Sequence, residues 1–250
     1  MTVVLENAHV VRAGRAILNQ ASGSCQPGRF TALCGPNGAG KTTALRVMTG
    51  SLSPDGGHAL LDGERVGAMK SLDLARRRAV VSQASVLSFP FQVHEVVTMG
   101  RAPHFGTPAQ ARDDAVIAAA MDAMELSDLA ERNYLTLSGG ERKRVDIARS
   151  LAQVWDPPAD GHARWLFLDE PTSALDLKHQ IALMERLAVL ARDGWGIVAV
   201  LHDLHLVHAH ADDVWLFKQG QIIDKGAAKD ILTDTSVQTT YDLTAPYALT

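Results

Sequence analysis

Short apolar runs alternate with amphipathic stretches along most of the chain, which favours an α/β fold. The apolar runs predict strands at 3–11, 30–34, 58–61, 79–81, 165–168 and 196–201, and a hairpin at 214–218 and 221–225. Helical spacing predicts helices at 44–48, 71–78, 109–124, 177–192 and 204–210. Between 87 and 154 no stretch has a strand pattern, so we expect a helical insertion there.

A glycine-rich loop with the spacing G-x-x-x-x-G-K-T joins a predicted strand to a predicted helix. It consists of Gly35, Pro36, Asn37, Gly38, Ala39, Gly40, Lys41, Thr42 and Thr43. Glycines allow backbone N–H groups to point at phosphate oxygens, and the helix adds its positive N-terminal end. We expect Lys41 to reach the β- and γ-phosphates and the Thr42 hydroxyl to bind Mg²⁺. An ordinary glycine-rich turn would not explain this combination, so the sequence predicts a nucleoside-triphosphate site.

An apolar strand that ends in two acidic residues is the second chemical feature. Asp169 and Glu170 follow the run at 165–168, and parallel sheets bind ligands at the carboxyl ends of their strands. Asp169 is suited to hold Mg²⁺ through water, and Glu170 is placed to polarise an attacking water. The alternative, an acidic loop end without a role, is weaker because a P-loop precedes it.

The segment Leu-Ser-Gly-Gly-Glu-Arg at 137–142 opens a helix predicted to continue to about residue 154. Ser138 is a natural N-cap, and Glu141 completes a capping box with it. Good capping alone could explain these two residues. Gly139 and Gly140, however, leave backbone N–H groups and the helix N-terminus free to receive an anion, which predicts a second phosphate site.

Together these motifs resemble those of the ATP-binding-cassette (ABC) ATPases, in that family's order and over essentially the whole chain. Gln83 lies where the Q-loop belongs, residues 173–176 where the D-loop belongs, and His202 where the switch histidine belongs. The resemblance implies a P-loop NTPase (RecA-like) α/β core with an N-terminal antiparallel β-region and an inserted α-helical subdomain, the ABC ATPase fold. It implies one ABC ATPase domain, with its nucleotide-binding core at 1–86 and 155–226, the helical subdomain at 87–154 and a helical tail at 227–250.

The resemblance also implies ATP hydrolysis with ATP and Mg²⁺ as cofactors. Mg²⁺ would be held by Thr42, Gln83 and Asp169, and catalysis would depend on Glu170, His202 and Gln83. The family forms head-to-tail dimers, so ATP is expected between Lys41 of one chain and the signature residues of the other, Ser138, Gly139 and Gly140. Asp176 is expected to span that dimer.

One departure from the family concerns the adenine. ABC proteins usually place a stacking aromatic residue about 23 positions before the first P-loop glycine, and counting back from Gly35 reaches Arg12. No Tyr, Phe or Trp lies nearby. Because a guanidinium can stack on a purine, we predict that Arg12 contacts the base.

Composition and charge limit the classes of partner that the chain is expected to bind. The net charge of −4 gives no basic surplus to indicate nucleic acid. The N-terminus lacks the pattern of a signal peptide, and no apolar run is long enough to cross a bilayer. With a single cassette, the chain is similar to the detached ATPase of an importer. We therefore expect a peripheral subunit on the cytoplasmic face of the bacterial inner membrane, paired with a transmembrane permease dimer.

Three stretches bear on the cargo. Residues 85–93 and 99–104 resemble importers of iron chelates, cobalamin and haem, and the loop 155–164 is similar to one in bacterial haem (hemin) importer ATPases. The resemblance implies haem import with a periplasmic haem-binding protein, and a ferric-siderophore or cobalamin importer is the alternative. A soluble ABC ATPase of DNA repair or translation is an alternative of another class. Such proteins usually add coiled coils or a second cassette.

Four histidines near helical spacing allow a further interpretation. His202, His205, His208 and His210 could bind haem or a metal, since histidine is a common ligand. Alternatively, His202 is the switch residue and the others lie on a solvated helix face. No cysteine or close carboxylate trio completes a metal site in the sequence.

Overall fold

The computed structural model describes residues 2–83, 87–156, 161–173, 175–245 and 247. Its strands are β1 Val3–Arg12, β2 Arg15–Cys25, β3 Phe30–Cys34, β4 Gly56–Leu61, β5 Glu64–Arg65, β6 Arg78–Val81, β7 Trp165–Asp169, β8 Gly196–Val200, β9 Asp213–Lys218 and β10 Gln221–Ala227. Its α-helices are α1 Lys41–Met48, α2 Ser71–Arg77, α3 Val93–Thr98, α4 Asp113–Ala123, α5 Gly139–Gln153, α6 Leu177–Arg192, α7 Leu204–His210, α8 Ala228–Ile231 and α9 Asp234–Tyr241. Short 3₁₀ helices lie at Val66–Ala68, Met99–His104, Pro108–Arg112, Ser127–Leu129 and Tyr134–Thr136.

A six-stranded sheet in the order β10-β9-β3-β8-β7-β6 forms the centre of the fold. Neighbouring strands from β9 to β6 run parallel, and β10 is antiparallel to β9. Every residue of β3, β7 and β8 is buried, which explains their uninterrupted apolar sequences. Because parallel strands end at the same edge, the residues that follow β3, β6, β7 and β8 are brought together there.

The two faces of this sheet bury different parts of the chain. Along β7, Leu166 and Leu168 pack with the helical segment and α6, whereas Trp165 and Phe167 pack with α1 and the N-terminal strands. This alternation follows from the two-residue period of a strand. A four-stranded sheet in the order β2-β1-β4-β5 closes the second face with antiparallel pairs. The α/β fold with an N-terminal antiparallel region is therefore confirmed.

The described residues between β6 and β7 form helices and turns, with only an isolated bridge between Gln92 and Asn133. The helix predicted at 109–124 is shorter than expected, since 3₁₀ turns occupy Pro108–Arg112 and α4 begins at Asp113. Two acidic residues in its first turn, Asp113 and Asp114, favour a helix start at this point. No helix among the described residues is long and apolar enough to span a membrane.

Parts of three sequence features lie outside the described residues. These are residues 85 and 86 of the stretch at 85–93, residues 157–160 of the loop at 155–164, and Ala174 of the D-loop. The C-terminal tail contains α8 and α9 and is described up to residue 245 and at 247.

Candidate active site

The P-loop joins the end of β3 to the start of α1, and its backbone requires glycine at two positions in particular. Gly35 has φ +144° and Gly40 has φ +100°, in the region that L side chains rarely adopt. A Cβ at Gly35 would lie 2.2 Å from the carbonyl oxygen of Phe217, and one at Gly40 2.7 Å from that of Ile17. The loop therefore packs tightly against neighbouring backbone on its outer side.

Lys41 is the first residue of α1 and is almost fully buried. Its Nζ donates to the carbonyl oxygens of Gly35 at 2.7 Å and Pro36 at 2.9 Å. Burial lowers the pKa of this ammonium, while the charges of Asp169 and Glu170 act in the opposite direction. A buried cation at a helix N-terminus suits an anionic ligand such as a phosphate.

A hydroxyl and a carboxylate meet beside the loop. Thr42 Oγ1 donates to Asp169 Oδ1 at 2.8 Å, and Asp169 is the buried last residue of β7. Hydroxyl and carboxylate oxygens are the ligands that Mg²⁺ prefers. These residues therefore fit a Mg²⁺ site next to the phosphate-binding loop.

Two predicted site residues converge on the carboxylate of a third at the sheet edge. Gln83 Nε2 donates to Glu170 Oε2 at 2.8 Å, and His202 Nε2 donates to Glu170 Oε1 at 2.9 Å. Gln83 follows β6, Glu170 follows β7 and His202 follows β8, so adjacent parallel strands bring them together. Glu170 has φ +51°, a left-handed backbone conformation that is uncommon outside glycine. The carboxylate is therefore held by two partners, an arrangement that would suit a general base.

The signature residues form a second polar surface at the start of α5. Ser138 Oγ accepts from the Glu141 N–H at 3.3 Å, and Glu141 Oε2 accepts from the Ser138 N–H at 2.7 Å. This capping box lowers the pKa of Glu141, chiefly through the hydrogen bond from Ser138. The predicted capping box is confirmed, and it leaves the N–H groups of Gly139 and Gly140 at the open end of the helix.

Asp176 lies in the same surface recess as Ser138, Gly139 and Gly140. It caps α6 and accepts from the backbone N–H of His179 at 2.9 Å and from His179 Nδ1 at 2.7 Å. These bonds lower the pKa of Asp176. Within the part of the chain that the structure describes, no hydrogen bond or ion pair joins this recess to the P-loop. The site residues thus form two separate groups.

Arg12 belongs to neither group. It is exposed at the end of β1, where its guanidinium donates to Val11 O at 2.6 Å and to Asp55 Oδ2 at 3.3 Å. The structure pairs Arg12 with Asp55 and gives it no P-loop partner among the described residues. Its contact with adenine remains a prediction.

The other histidines of α7 offer no metal centre among the described residues, where no three His, Cys, Asp or Glu side chains gather closely enough to hold an ion. The ring of His205 lies against Tyr247, with their centroids 5.3 Å apart.

Sequence reasoning missed one charged residue at the site. Lys143 of α5 is 6 % exposed, and its Nζ donates to the carbonyl oxygen of Ser82 at 3.2 Å. Lys143 precedes Ile147 and Leu151 at four-residue spacing on the buried side of the helix. A lysine in such an apolar stripe is the signal that could have found it.

Known proteins resemble this chain over most of its length. The family described as ABC transporter matches residues 18–173. The chain is 44 % identical to the "Hemin import ATP-binding protein HmuV" of Hahella chejuensis, covering 94 % of this chain and 90 % of that protein. It is 41 % identical to the protein of the same name from Rhizobium meliloti, over 92 % of this chain and 87 % of the relative. A solved structure, "An inward-facing conformation of a putative metal-chelate type ABC transporter", matches 97 % of this chain and 89 % of its own, with 27 % identity and a TM-score of 0.80.

Proposed function

This chain belongs to the ABC transporter family, and from that membership we propose that it is the ATP-hydrolysing subunit of a bacterial haem importer. The observation that carries the cargo is the similarity to two relatives named for hemin import, each covered over at least 87 % of its length. A ferric-siderophore or cobalamin importer is the alternative cargo class within the same family.

In the proposed reaction, ATP places its phosphates on the P-loop. Lys41 binds the β- and γ-phosphates from the start of α1, exchanging loop carbonyls for phosphate oxygens. Thr42, Asp169 and Gln83 are the residues that would hold Mg²⁺, which supplies charge compensation for the phosphates when bound.

Hydrolysis in this proposal depends on Glu170. Its carboxylate accepts a proton from the attacking water, which develops hydroxide character as it attacks the γ-phosphorus. Gln83 and His202 hold both oxygens of that carboxylate, so the base is oriented before ATP arrives. In this proposal His202 also helps to position the γ-phosphate.

The proposed assembly is a head-to-tail dimer. ATP on the P-loop of one chain meets Ser138, Gly139 and Gly140 of the other, and Asp176 lies beside them at the dimer boundary. In this division of the chain, residues 1–86 and 155–226 form the nucleotide-binding core, 87–154 the helical subdomain and 227–250 the tail. Loss of the γ-phosphate removes a bond between the two chains, so the dimer opens.

Three exposed apolar side chains support docking to a membrane partner. Leu72 of α2, Phe89 and Phe105 are 57 %, 68 % and 80 % exposed. Arg76 Nε donates to Pro103 O at 2.9 Å, which holds α2 next to the segment that precedes Phe105. We propose that these side chains contact a transmembrane permease dimer at the cytoplasmic face of the inner membrane. A periplasmic haem-binding protein would deliver the cargo to that permease.

The test is transport in vesicles that contain the cognate permease and this chain. With ATP inside, haem should accumulate, whereas cobalamin and ferric siderophores should not. Glu170→Gln is the matched control and should abolish accumulation while leaving the complex assembled. Uptake of cobalamin or a ferric siderophore in preference to haem would replace the proposed cargo. Co-purification with ribosomes or DNA rather than with a permease would favour the soluble class of ABC ATPase.

A further inference from the structure

Lys143 is a buried cation that lies between the signature helix and the catalytic edge of the sheet. It is the fifth residue of α5, and only 6 % of it is exposed. Its ammonium donates to the carbonyl oxygen of Ser82 at 3.2 Å. Ser82 directly precedes Gln83, whose side chain donates to Glu170 at 2.8 Å. A continuous path of two hydrogen bonds and one peptide unit therefore joins α5 to the proposed base.

The position of Lys143 is energetically unfavourable for a charged side chain. Burial disfavours the ammonium, and the charges of Asp146, Asp169 and Glu170 favour it. Lys41 approaches Asp169 and Glu170 from the P-loop side and is subject to the same two carboxylate charges. The carboxylates of Asp169 and Glu170 thus interact electrostatically with two buried lysines, one from α1 and one from α5.

Packing alone does not call for a lysine here. An unbranched apolar side chain such as methionine could occupy a similar volume, and replacement of a buried charge by an apolar group is often neutral or stabilising. What methionine cannot supply is the donor to Ser82 and the positive charge facing Asp169 and Glu170.

We propose that Lys143 is a positioning residue for ATP hydrolysis, which fixes the backbone at Ser82 and thereby the placement of Gln83 against the Glu170 carboxylate. The inference rests on the proposed role of Glu170 as general base. Among the described residues the hydrogen bond of Lys143 goes to Ser82, so it acts through the Q-loop backbone and not by a hydrogen bond to the P-loop or to Glu170. Because it belongs to α5, any displacement of this helix relative to the central sheet is transmitted to the Gln83–Glu170 pair.

The test compares Lys143→Met, Lys143→Gln and Lys143→Arg in the full chain, with steady-state ATPase rates and thermal unfolding measured on each. Lys143→Met should lower kcat about 10- to 100-fold, the range for losing one hydrogen bond made by a charged group. KM for ATP should stay within about two-fold, since the P-loop contacts are untouched. Its melting temperature should equal or exceed that of the parent. Lys143→Arg or Lys143→Gln should recover part of kcat, because both retain an N–H donor.

Two further variants make the result decisive. Lys229→Met, which removes an exposed lysine of α8, should behave like the parent. Glu170→Gln should be nearly inactive; if it keeps full turnover, the assignment of the base fails, and the inference fails with it. If Glu170→Gln is inactive but Lys143→Met has the parental kcat, only the inference about Lys143 is wrong.

Three other results would also overturn the inference about Lys143. They are a rise in KM at constant kcat, an equal loss of kcat in all three Lys143 variants, and a loss of kcat that parallels a lower melting temperature. Should Lys143→Met not fold, Lys143→Leu, which likewise lacks a donor, is judged by the same kcat and KM criteria against Lys143→Arg.

Discussion

Replacement of Glu170 by glutamine changes the proposed base with little disturbance of its surroundings. Glutamine has the same shape and can adopt the same left-handed backbone as Glu170. Its amide oxygen can accept from His202, and its amide nitrogen can donate to Gln83 after that side chain rotates its own amide. The geometry around position 170 is thus retained, whereas the ability to accept a proton is lost.

The size of the effect follows from that single loss. General base catalysis by a positioned side chain contributes about 10²- to 10⁴-fold, so Glu170→Gln should lower kcat by this factor. In free energy this is about 3–5 kcal/mol of the activation barrier, at about 1.4 kcal/mol for each factor of ten. ATP affinity should change by less than about two-fold, because the substitution at position 170 leaves the contacts of Lys41 and Thr42 unchanged.

Phosphate release at saturating ATP measures the rate, and equilibrium binding of a fluorescent ATP analogue measures affinity. Size-exclusion chromatography with ATP should show the variant accumulating as a dimer, since ATP that is not hydrolysed keeps the two chains together. Glu185→Gln, at an exposed position of α6, is the control and should hydrolyse ATP at the parental rate. Full turnover by Glu170→Gln would refute the assignment of the base. A large loss of ATP affinity would show instead that Glu170 contributes mainly to nucleotide binding.

Three other substitutions test single features of the site. Gly35→Ala should destabilise the fold by about 3 kcal/mol, since its Cβ would meet Phe217 O at 2.2 Å; thermal unfolding should detect this, and Gly67→Ala, with open space around its Cβ, should be neutral. Arg12→Ala should weaken ATP binding about two- to five-fold without affecting tripolyphosphate, the range for a cation–π contact with adenine; unchanged ATP affinity would contradict stacking. Glu141→Gln tests the capping box through the pH dependence of the free energy of unfolding. Because the pKa of Glu141 is lowered in the fold, its stabilisation is present at neutral pH and is lost as the pH falls through that lowered pKa. Urea unfolding should therefore show a deficit of about 0.5 kcal/mol at pH 7 that disappears in acid, and a pH-independent deficit would exclude this electrostatic cause.

Local signals explain where prediction from the sequence succeeded. The P-loop is bounded by a strand and a helix within a few residues, so nothing distant is needed to recognise it. The helix predicted at 177–192 has the same bounds in the structure, since Asp176 caps its start and Gly194 follows its end. Such features depend on neighbours along the chain, which the sequence displays directly.

The strand β2 shows where the local pattern fails. Its buried residues Leu18, Ala21 and Cys25 are not spaced by two, so the alternation typical of a strand is absent. The cause is the irregular register with β1, which shifts between Leu5 and Ala8 and again before Val10. Each bulge adds a residue to one strand and moves the following side chains to the other face. Only the pairing in three dimensions reveals this strand.

The candidate site was also predictable where it depends on local sequence, and not where it depends on contacts between distant residues. Parallel strands made it predictable that Asp169 and Glu170 lie at a ligand-binding edge. The hydrogen bonds that orient Glu170 join residues 87 and 32 positions apart, and they depend on which strands are neighbours in the sheet. Lys143 was hidden for a related reason, because its partner is a backbone carbonyl 61 positions away.

The signature end of α5 has hydrogen-bonding capacity that its own capping box does not use. Glu141 occupies the N–H of Ser138, and Ser138 Oγ acts as an acceptor there, so the hydroxyl proton of Ser138 stays available to a ligand. The N–H groups of Gly139 and Gly140 fall in the first turn, where no intrahelical partner exists. Three donors at the positive end of a helix suit a phosphate, yet the P-loop, the proposed site of the other phosphate contacts, belongs to a separate group of residues. In the proposed function, each chain therefore supplies both halves of a nucleotide site without joining them, and a second copy in head-to-tail orientation would complete two such sites at once.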